Sequence, residues 1–414
     1  MKIGFFTDRY YPQVDGVAVS VDLFARELIK LGHEVVIFCP ESPNRDKPDP
    51  DYIVRFRSFP SIWYEDHRDT MPFTSTIIKE VKSHNLDIIH IHTPAQVGML
   101  GMRIAKDDDI PTVVTHHTDI DQYAKIYKKI MLGILVGILL APALMKSADK
   151  YKELIPSLKP SKSLKKWNRK LIVESVGLFY KNCSMVIVPS EKMEKSLNDY
   201  GKFDSVHVLP TGIDLEETKI ETNFKPRKVF NVEDDDPLLL FVGRLGKEKN
   251  IQLIIKSMPK IIDKNPNAKL MVVGDGPYSG DLKDLASELN LTENIIFTGM
   301  LDRDKTFACF KAADIFCFAS MTDTQGLVLN EAAIERKPII FIDADISPLA
   351  KDKITGIQAK NTIRSFSESC TKLINSPVLA RKYGQTAHKL AMSMTIEKQT
   401  KKLVALYSQL YRLI

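Results

Sequence analysis

The chain has 414 residues, of which 44% are hydrophobic and 27% charged, with 58 basic against 52 acidic side chains and a formal net charge of +6. That is material for two or three domains of ordinary size, and it excludes a disordered, fibrous or disulfide-stapled chain. A surplus of six over such a length does not call for nucleic acid, so the place where the surplus sits matters more than its size.

The opening Met1–Arg9 does not read as a signal peptide, because Asp8 and Arg9 interrupt its apolar stretch. Short apolar runs follow, at Ile3–Thr7, Val35–Cys39, Asp87–Ile91, Thr112–Thr115 and Met185–Val188. Their lack of clean alternation predicts strands buried on both faces of a parallel sheet. Between the first two, Val17, Val21, Phe24, Leu28 and Leu31 recur at helical spacing and Gly32 marks a stop. Gly16 opens that helix, either as a plain N-cap or as a glycine that lets backbone N–H groups approach a phosphate.

The segment Gln122–Asn182 interrupts this rhythm. It holds thirteen basic and three acidic side chains, a net charge of +10, which leaves −4 on the rest. Inside it, Ile130–Met145 is sixteen residues without a charge, short of the ~20 that a spanning helix needs. Leu and Ile occupy all faces of this run, lysines flank it, and a Lys-rich stretch around Trp167 follows. The combination predicts a monotopic anchor on an anionic leaflet, with Lys128, Lys129, Leu132, Leu135, Leu139, Lys165, Lys166 and Trp167 at the membrane and acceptor side. A buried core helix with solvated neighbours is the alternative. Nucleic acid is the poorer partner, since the segment is apolar as well as basic, and no nucleic-acid partner is expected.

Residues Gly212–Asp236 are polar and read as the linker region. The strand rhythm then resumes at Leu238–Val242, Lys269–Val273, Asn294–Phe297, Ile315–Phe318 and Pro338–Ile342. Two sets of βαβ units predict an α/β chain of two Rossmann-like, doubly wound domains facing a cleft, with ligands held by the loops after the strands. The expected bounds are 1–211 for the first domain, carrying the insert 122–182 and joined by the C-terminal helix 396–414, and 212–395 for the second. After Leu238–Val242, Arg244 and Lys249 supply cations that suit a diphosphate or form a solvated charge cluster. Gly274-Asp275-Gly276-Pro277 lacks the third glycine of a dinucleotide fingerprint, which counts against an NAD-dependent oxidoreductase. After Ile315–Phe318, Gly326 begins an apolar helix that contains Glu331, with Asp323 just before it. An acid inside an apolar helix points to a role beyond solvated surface. None of Cys39, Cys183, Cys309, Cys317 and Cys370 forms a C-x-x-C pair, so they read as small buried hydrophobes in a reducing compartment.

Several stretches together resemble the retaining glycosyltransferases of family 4, which have the GT-B fold. They are Phe5-Phe6-Thr7-Asp8 through Pro12 to Gly16, His90-Ile91-His92, Pro210-Thr211-Gly212-Ile213-Asp214, Gly243-Arg244-Leu245, Gly274–Pro277, and Asp323 with Glu331. The resemblance implies transfer of a hexose from a nucleotide sugar with retained configuration. It implies that Arg244 and Lys249 clamp the donor diphosphate, that Gly16 lies near the β-phosphate, and that Gln325, Gly326, Leu327 and Val328 contact sugar and phosphate through their backbone. Glu331 matches the ribose-binding Glu, Asp323 the sugar-binding acid, and His117 the active-site histidine. The family usually has Glu where Asp323 stands and Asn where Thr211 stands. No metal or other cofactor is implied, and Asp119-Ile-Asp121 and Asp343-Ala-Asp345 read as incidental.

Within the family the N-terminal half resembles membrane-associated synthases that glucosylate diacylglycerol. The expectation is hexosyl transfer, with UDP-glucose as donor, to a lipid such as diacylglycerol by a peripheral protein on the cytoplasmic face of the plasma membrane. Two alternatives stay open: a GDP-mannose-dependent mannosyltransferase acting on a phospholipid or glycan, and a non-catalytic membrane-bound nucleotide-sugar binding protein.

Overall fold

The computed structural model describes residues 1–13, 15–43, 48–61, 68–120, 136, 164–219 and 222–411. Nearly all of the apolar run 130–145 lies outside the described residues, as do Lys128, Lys129, Leu132, Leu135 and Leu139. The backbone is described from Leu164 and the side chains from Arg169, so Lys165, Lys166 and Trp167 are placed only as positions on the helix Leu164–Lys181.

The chain divides into two compact units, Met1–Thr211 with Gln399–Ile414, and Gly212–Lys398. The first is built on a parallel sheet of seven strands. In chain order these are β1 (Lys2–Phe6), β2 (Glu34–Pro40), β3 (Ile53–Phe56), β6 (Ile88–Ile91), β7 (Thr112–Thr115), β8 (Met185–Val188) and β9 (Val206–Val208). A small antiparallel hairpin, β4 (Ser58–Pro60) with β5 (Arg68–Thr70), stands apart. The strand order is β3-β2-β1-β6-β7-β8-β9, so the winding reverses between β1 and β6. Loops at such a switch point leave a crevice at the carboxyl ends of the strands.

The second unit repeats the plan with six parallel strands: β10 (Leu238–Val242), β11 (Lys269–Val273), β12 (Ile295–Gly299), β13 (Ile315–Phe318), β14 (Ile339–Phe341) and β15 (Gly356–Gln358). Their order is β12-β11-β10-β13-β14-β15, and the switch lies between β10 and β13. Every residue of β10 is buried. Leu239 and Phe241 join one apolar cluster, with Ile254 and Phe366, while Leu238, Leu240 and Val242 join another, with Phe310 and Phe316. Both faces of the sheet are therefore core, which is why its strands read as unbroken apolar runs.

All ten apolar runs are strands. The three sheet strands not foreseen, β3, β9 and β15, lie at sheet edges and are only partly buried. Half-exposed edges need no continuous apolar run, although the fourth edge strand, β12, has one. The polar stretch after Gly212 holds a short helix, Pro226–Val229. Part of its acidic run is structural: Asp236 is buried and accepts the Glu233 N–H at 3.1 Å. All five cysteines are free; four are buried, and burial pushes the Cys309 thiol up to about 12.

Candidate active site

In the second unit, the loops after β10 and β13 flank the switch point. They are stitched together by Asn250 Nδ2, which donates to the Ala319 carbonyl at 3.3 Å, and by the Ser320 and Thr322 hydroxyls, which both donate to the Glu248 carbonyl at 3.4 Å. This brings Lys249 onto Asp323 as a close ion pair, each side chain about one-fifth exposed. Arg244, on the same loop as Lys249, is exposed. The two glycines of Gly274-Asp275-Gly276-Pro277 permit close packing of backbones. A Cβ on Gly274 (φ +126°) would lie 2.1 Å from the Gly243 carbonyl oxygen, and one on Gly276 would lie 2.7 Å from that of Leu245. Leu245 N–H in turn donates to the Asp275 carbonyl at 2.9 Å. The loop that resembled a dinucleotide turn thus buttresses the loop that carries Arg244.

Gly326 caps the helix Leu327–Ile334 in the left-handed conformation (φ +64°) and, as a glycine, makes no side-chain cap hydrogen bond. Gln325 is buried, and Gly326, Leu327 and Val328 are half-buried. Glu331 is buried on this helix, and Arg303 Nη1 donates to its Oε1 at 2.6 Å. Arg303 also lies over the Phe307 ring, 4.8 Å from its centroid. The sequence signalled Glu331 but not Arg303, which sits 28 positions away at the start of the helix Arg303–Ala312.

In the first unit, Asp8 follows β1 at the switch point. Its Oδ1 accepts the Val97 N–H at 2.8 Å, and its Oδ2 accepts the Thr93 hydroxyl at 2.6 Å. A carboxylate from the loop after β1 therefore caps the helix Gln96–Asp108 that follows β6. Burial, with a contribution from Asp69, pushes the Asp8 carboxyl up to about 6 against the opposing pull of those hydrogen bonds. Gly16 is the first residue of the helix Gly16–Lys30, but the N-cap is Asp15, which accepts Val17 and Ala18 N–H at 2.9 and 2.8 Å and pairs with Arg9 at 2.5 Å. The plain N-cap reading of Gly16 is thereby corrected. A phosphate near Gly16 would meet a helix end already engaged by a carboxylate.

The two adjacent histidines separate sharply. His116 is fully buried, shares a 2.7 Å hydrogen bond with the Tyr180 hydroxyl and lies edge-on to Tyr200. His117 is half-buried and lines a small cavity with His90, His92, Thr115 and Thr211. Its Nε2 lies 3.0 Å from Nδ1 of His92. Burial lowers the His117 imidazole to about 4, with Asp15 acting upward and His116 downward, and burial likewise holds His116 at about 4. Both are neutral at pH 7. His92 was not foreseen as a site residue, although it stands in the quoted His90-Ile91-His92 run. Among the described residues no group of three or more His, Cys, Asp or Glu is arranged to hold a metal ion. Asp119 accepts hydrogen bonds from Ser196 and Tyr200, and Asp343 accepts the Asp345 N–H.

Two doubly wound sheets, each with polar loops at its switch point, are the architecture of the GT-B fold. The Glycosyltransferase Family 4 domain matches residues 14–217, and the Glycosyl transferases group 1 domain matches residues 223–390. The chain belongs to this glycosyltransferase family. It is 33% identical to the alpha-monoglucosyldiacylglycerol synthase of Streptococcus pneumoniae over 86% of this chain and 74% of that protein. It is 27% identical to the synthase of the same name from Acholeplasma laidlawii, over 84% and 81% respectively. The fold is similar to that of Anabaena HepE in complex with UDP and glucose, with a TM-score of 0.71 at 15% identity over 99% of this chain and 100% of that one. Among the described residues, no helix is long and apolar enough to cross a membrane.

Proposed function

We propose that this glycosyltransferase moves a glucosyl group from UDP-glucose to diacylglycerol, with retention of configuration, at the cytoplasmic face of a membrane that it meets peripherally. The observation that carries the reading is its similarity, along most of both chains, to two alpha-monoglucosyldiacylglycerol synthases. The site chemistry agrees. Arg244, Lys249 and the glycine-capped helix end at Gly326, with the backbone of Gln325, Leu327 and Val328, offer cationic and N–H donors to a departing diphosphate. Glu331, oriented by Arg303, suits the ribose hydroxyls, and Asp323, oriented by Lys249, suits those of the sugar.

No protein nucleophile and no metal is needed in this reading. The bond from the anomeric carbon to the phosphate oxygen breaks, and the acceptor hydroxyl attacks from the same face. Its proton passes to an oxygen of the leaving diphosphate. His117, neutral at pH 7, offers a hydrogen bond on the acceptor side without adding charge.

The test is incubation with UDP-glucose and anionic liposomes containing diacylglycerol. A glucosyl lipid is expected, lost in Arg244→Ala and Glu331→Ala. Turnover on a soluble acceptor with no lipid product would overturn the lipid assignment. Stronger thermal stabilisation by GDP than by UDP would overturn the donor assignment. For the anchor, deletion of residues 132–144 is expected to abolish pelleting with anionic liposomes while UDP binding persists; undiminished pelleting would refute it.

A further inference from the structure

Three imidazoles lie in a row in the first unit. His90 and His92 are two apart on one strand and its continuation, so they project to the same face. Their rings stack with centroids 4.1 Å apart, and the His92 ring stacks on His117 at 5.3 Å. Phe5 of β1 closes edge-on against His90 and His92, at 5.3 and 4.6 Å. His90 is pinned at both nitrogens, by the Tyr407 hydroxyl at 2.5 Å and the Thr115 hydroxyl at 2.7 Å. His92 has one partner. Its Nδ1 meets His117 Nε2 at 3.0 Å, and its own Nε2 is buried without a hydrogen bond.

We propose that His92 is a positioning residue that sets the tautomer of His117: it donates its Nδ1–H to His117 Nε2 and so keeps the proton of His117 on Nδ1. The inference rests on His117 being the active-site histidine of the proposed reaction. A neutral imidazole has one N–H, and an N···N hydrogen bond needs one donor and one acceptor. Were His117 the donor, the proton of His92 would sit on Nε2, a buried N–H with nothing to receive it. In the reverse arrangement only a bare lone pair is left over. Orphaned buried donors are the rarer of the two, because a buried N–H without an acceptor gives up its hydration with nothing in return. Burial drives both rings toward the neutral form, so a charged pair does not compete.

The consequence is chemical. Among the described residues nothing hydrogen-bonds Nδ1 of His117. That nitrogen therefore presents an N–H to substrate, which can hold a hydroxyl or phosphate oxygen but cannot remove a proton. The base must then be elsewhere, as in transfer assisted by a donor phosphate oxygen. Phe5, His90 and, through His90, Tyr407 act on His117 only by holding the His92 ring in its plane.

The tautomer is read directly by two-bond proton–nitrogen correlation on protein labelled at its nine histidines, with His117 assigned by its loss in His117→Gln. The wild type is expected to show His117 protonated on Nδ1. His92→Leu is expected to move that proton to Nε2, the form favoured by a free imidazole in water. It should lower kcat at least tenfold while KM for the nucleotide sugar stays within twofold. His92→Asn, whose Nδ2 takes the place of Nδ1, should keep the wild-type tautomer and restore kcat to within threefold. His117 protonated on Nε2 in the wild type, or an unchanged tautomer in His92→Leu, overturns the inference. Full activity of His117→Gln, with the tautomer shift still seen, would uphold the assignment of His92 and overturn the active-site role of His117.

Discussion

Replacing His117 with Gln should make the first unit less sensitive to acid, by an amount that follows from its burial. The imidazole is lowered from 6.5 to about 4. The unfolded chain thus takes up a proton near pH 6.5 and the folded protein only near pH 4. The stability that results is fully present above 6.5 and is lost as pH falls toward 4. At pH 5 the unfolded state has gained ~2 kcal/mol from this one group, against ~0.2 kcal/mol at pH 7. His116 contributes in the same direction, as do His90 and His92. Asp8, held up to about 6, opposes them, because its folded form takes a proton first. Comparing wild type with His117→Gln at both pH values removes most of what they share. Urea unfolding followed by far-ultraviolet circular dichroism measures the difference. The wild type should lose about 2 kcal/mol more than the variant between pH 7 and pH 5. Equal losses would show that His117 titrates as a hydrated histidine, and the argument from burial would fail.

Three further outcomes are expected. Arg303→Leu removes the 2.6 Å pair with Glu331; because Arg303 is nearly half exposed, the stability cost should be only about 1 kcal/mol, while the dissociation constant for UDP, measured by calorimetry, rises severalfold. Gly274→Ala forces a Cβ to within 2.1 Å of the Gly243 carbonyl, so the loop carrying Arg244 must shift; UDP binding should weaken at least tenfold with a lower melting temperature. Asp15→Ala removes the cap of the Gly16–Lys30 helix and should destabilise the first unit by about 1 kcal/mol in urea titrations, with UDP affinity unchanged.

Much of the fold was legible because doubly wound sheets bury their strands on both faces. Leu238–Val242 and Ile315–Phe318 have no polar side to hide. Three of the four edge strands of the two large sheets were not legible for the same reason reversed: Val206–Val208 is half-exposed and reads like a loop. At the site, Lys249, Asp323, Gly326 and Glu331 were visible because each lies within a few residues of a strand end or a helix start. Arg303 was invisible, since an arginine near the start of a polar helix looks solvated until a carboxylate 28 positions away closes on it.

The histidines draw the same line. His117 came from the family resemblance; from the residues themselves came the two strand-rich domains, the segment of net charge +10, and the loops that carry the cations and acids. Those follow from periodicity and composition, which are local properties of the chain. Only the tertiary structure decided that His116 is held among Tyr180 and Tyr200 while His117 faces a cavity and meets His92. Burial, ion pairing and tautomer depend on which atoms are brought close in space, and β6, β7 and the C-terminal helix bring together residues as far apart as His90 and Tyr407.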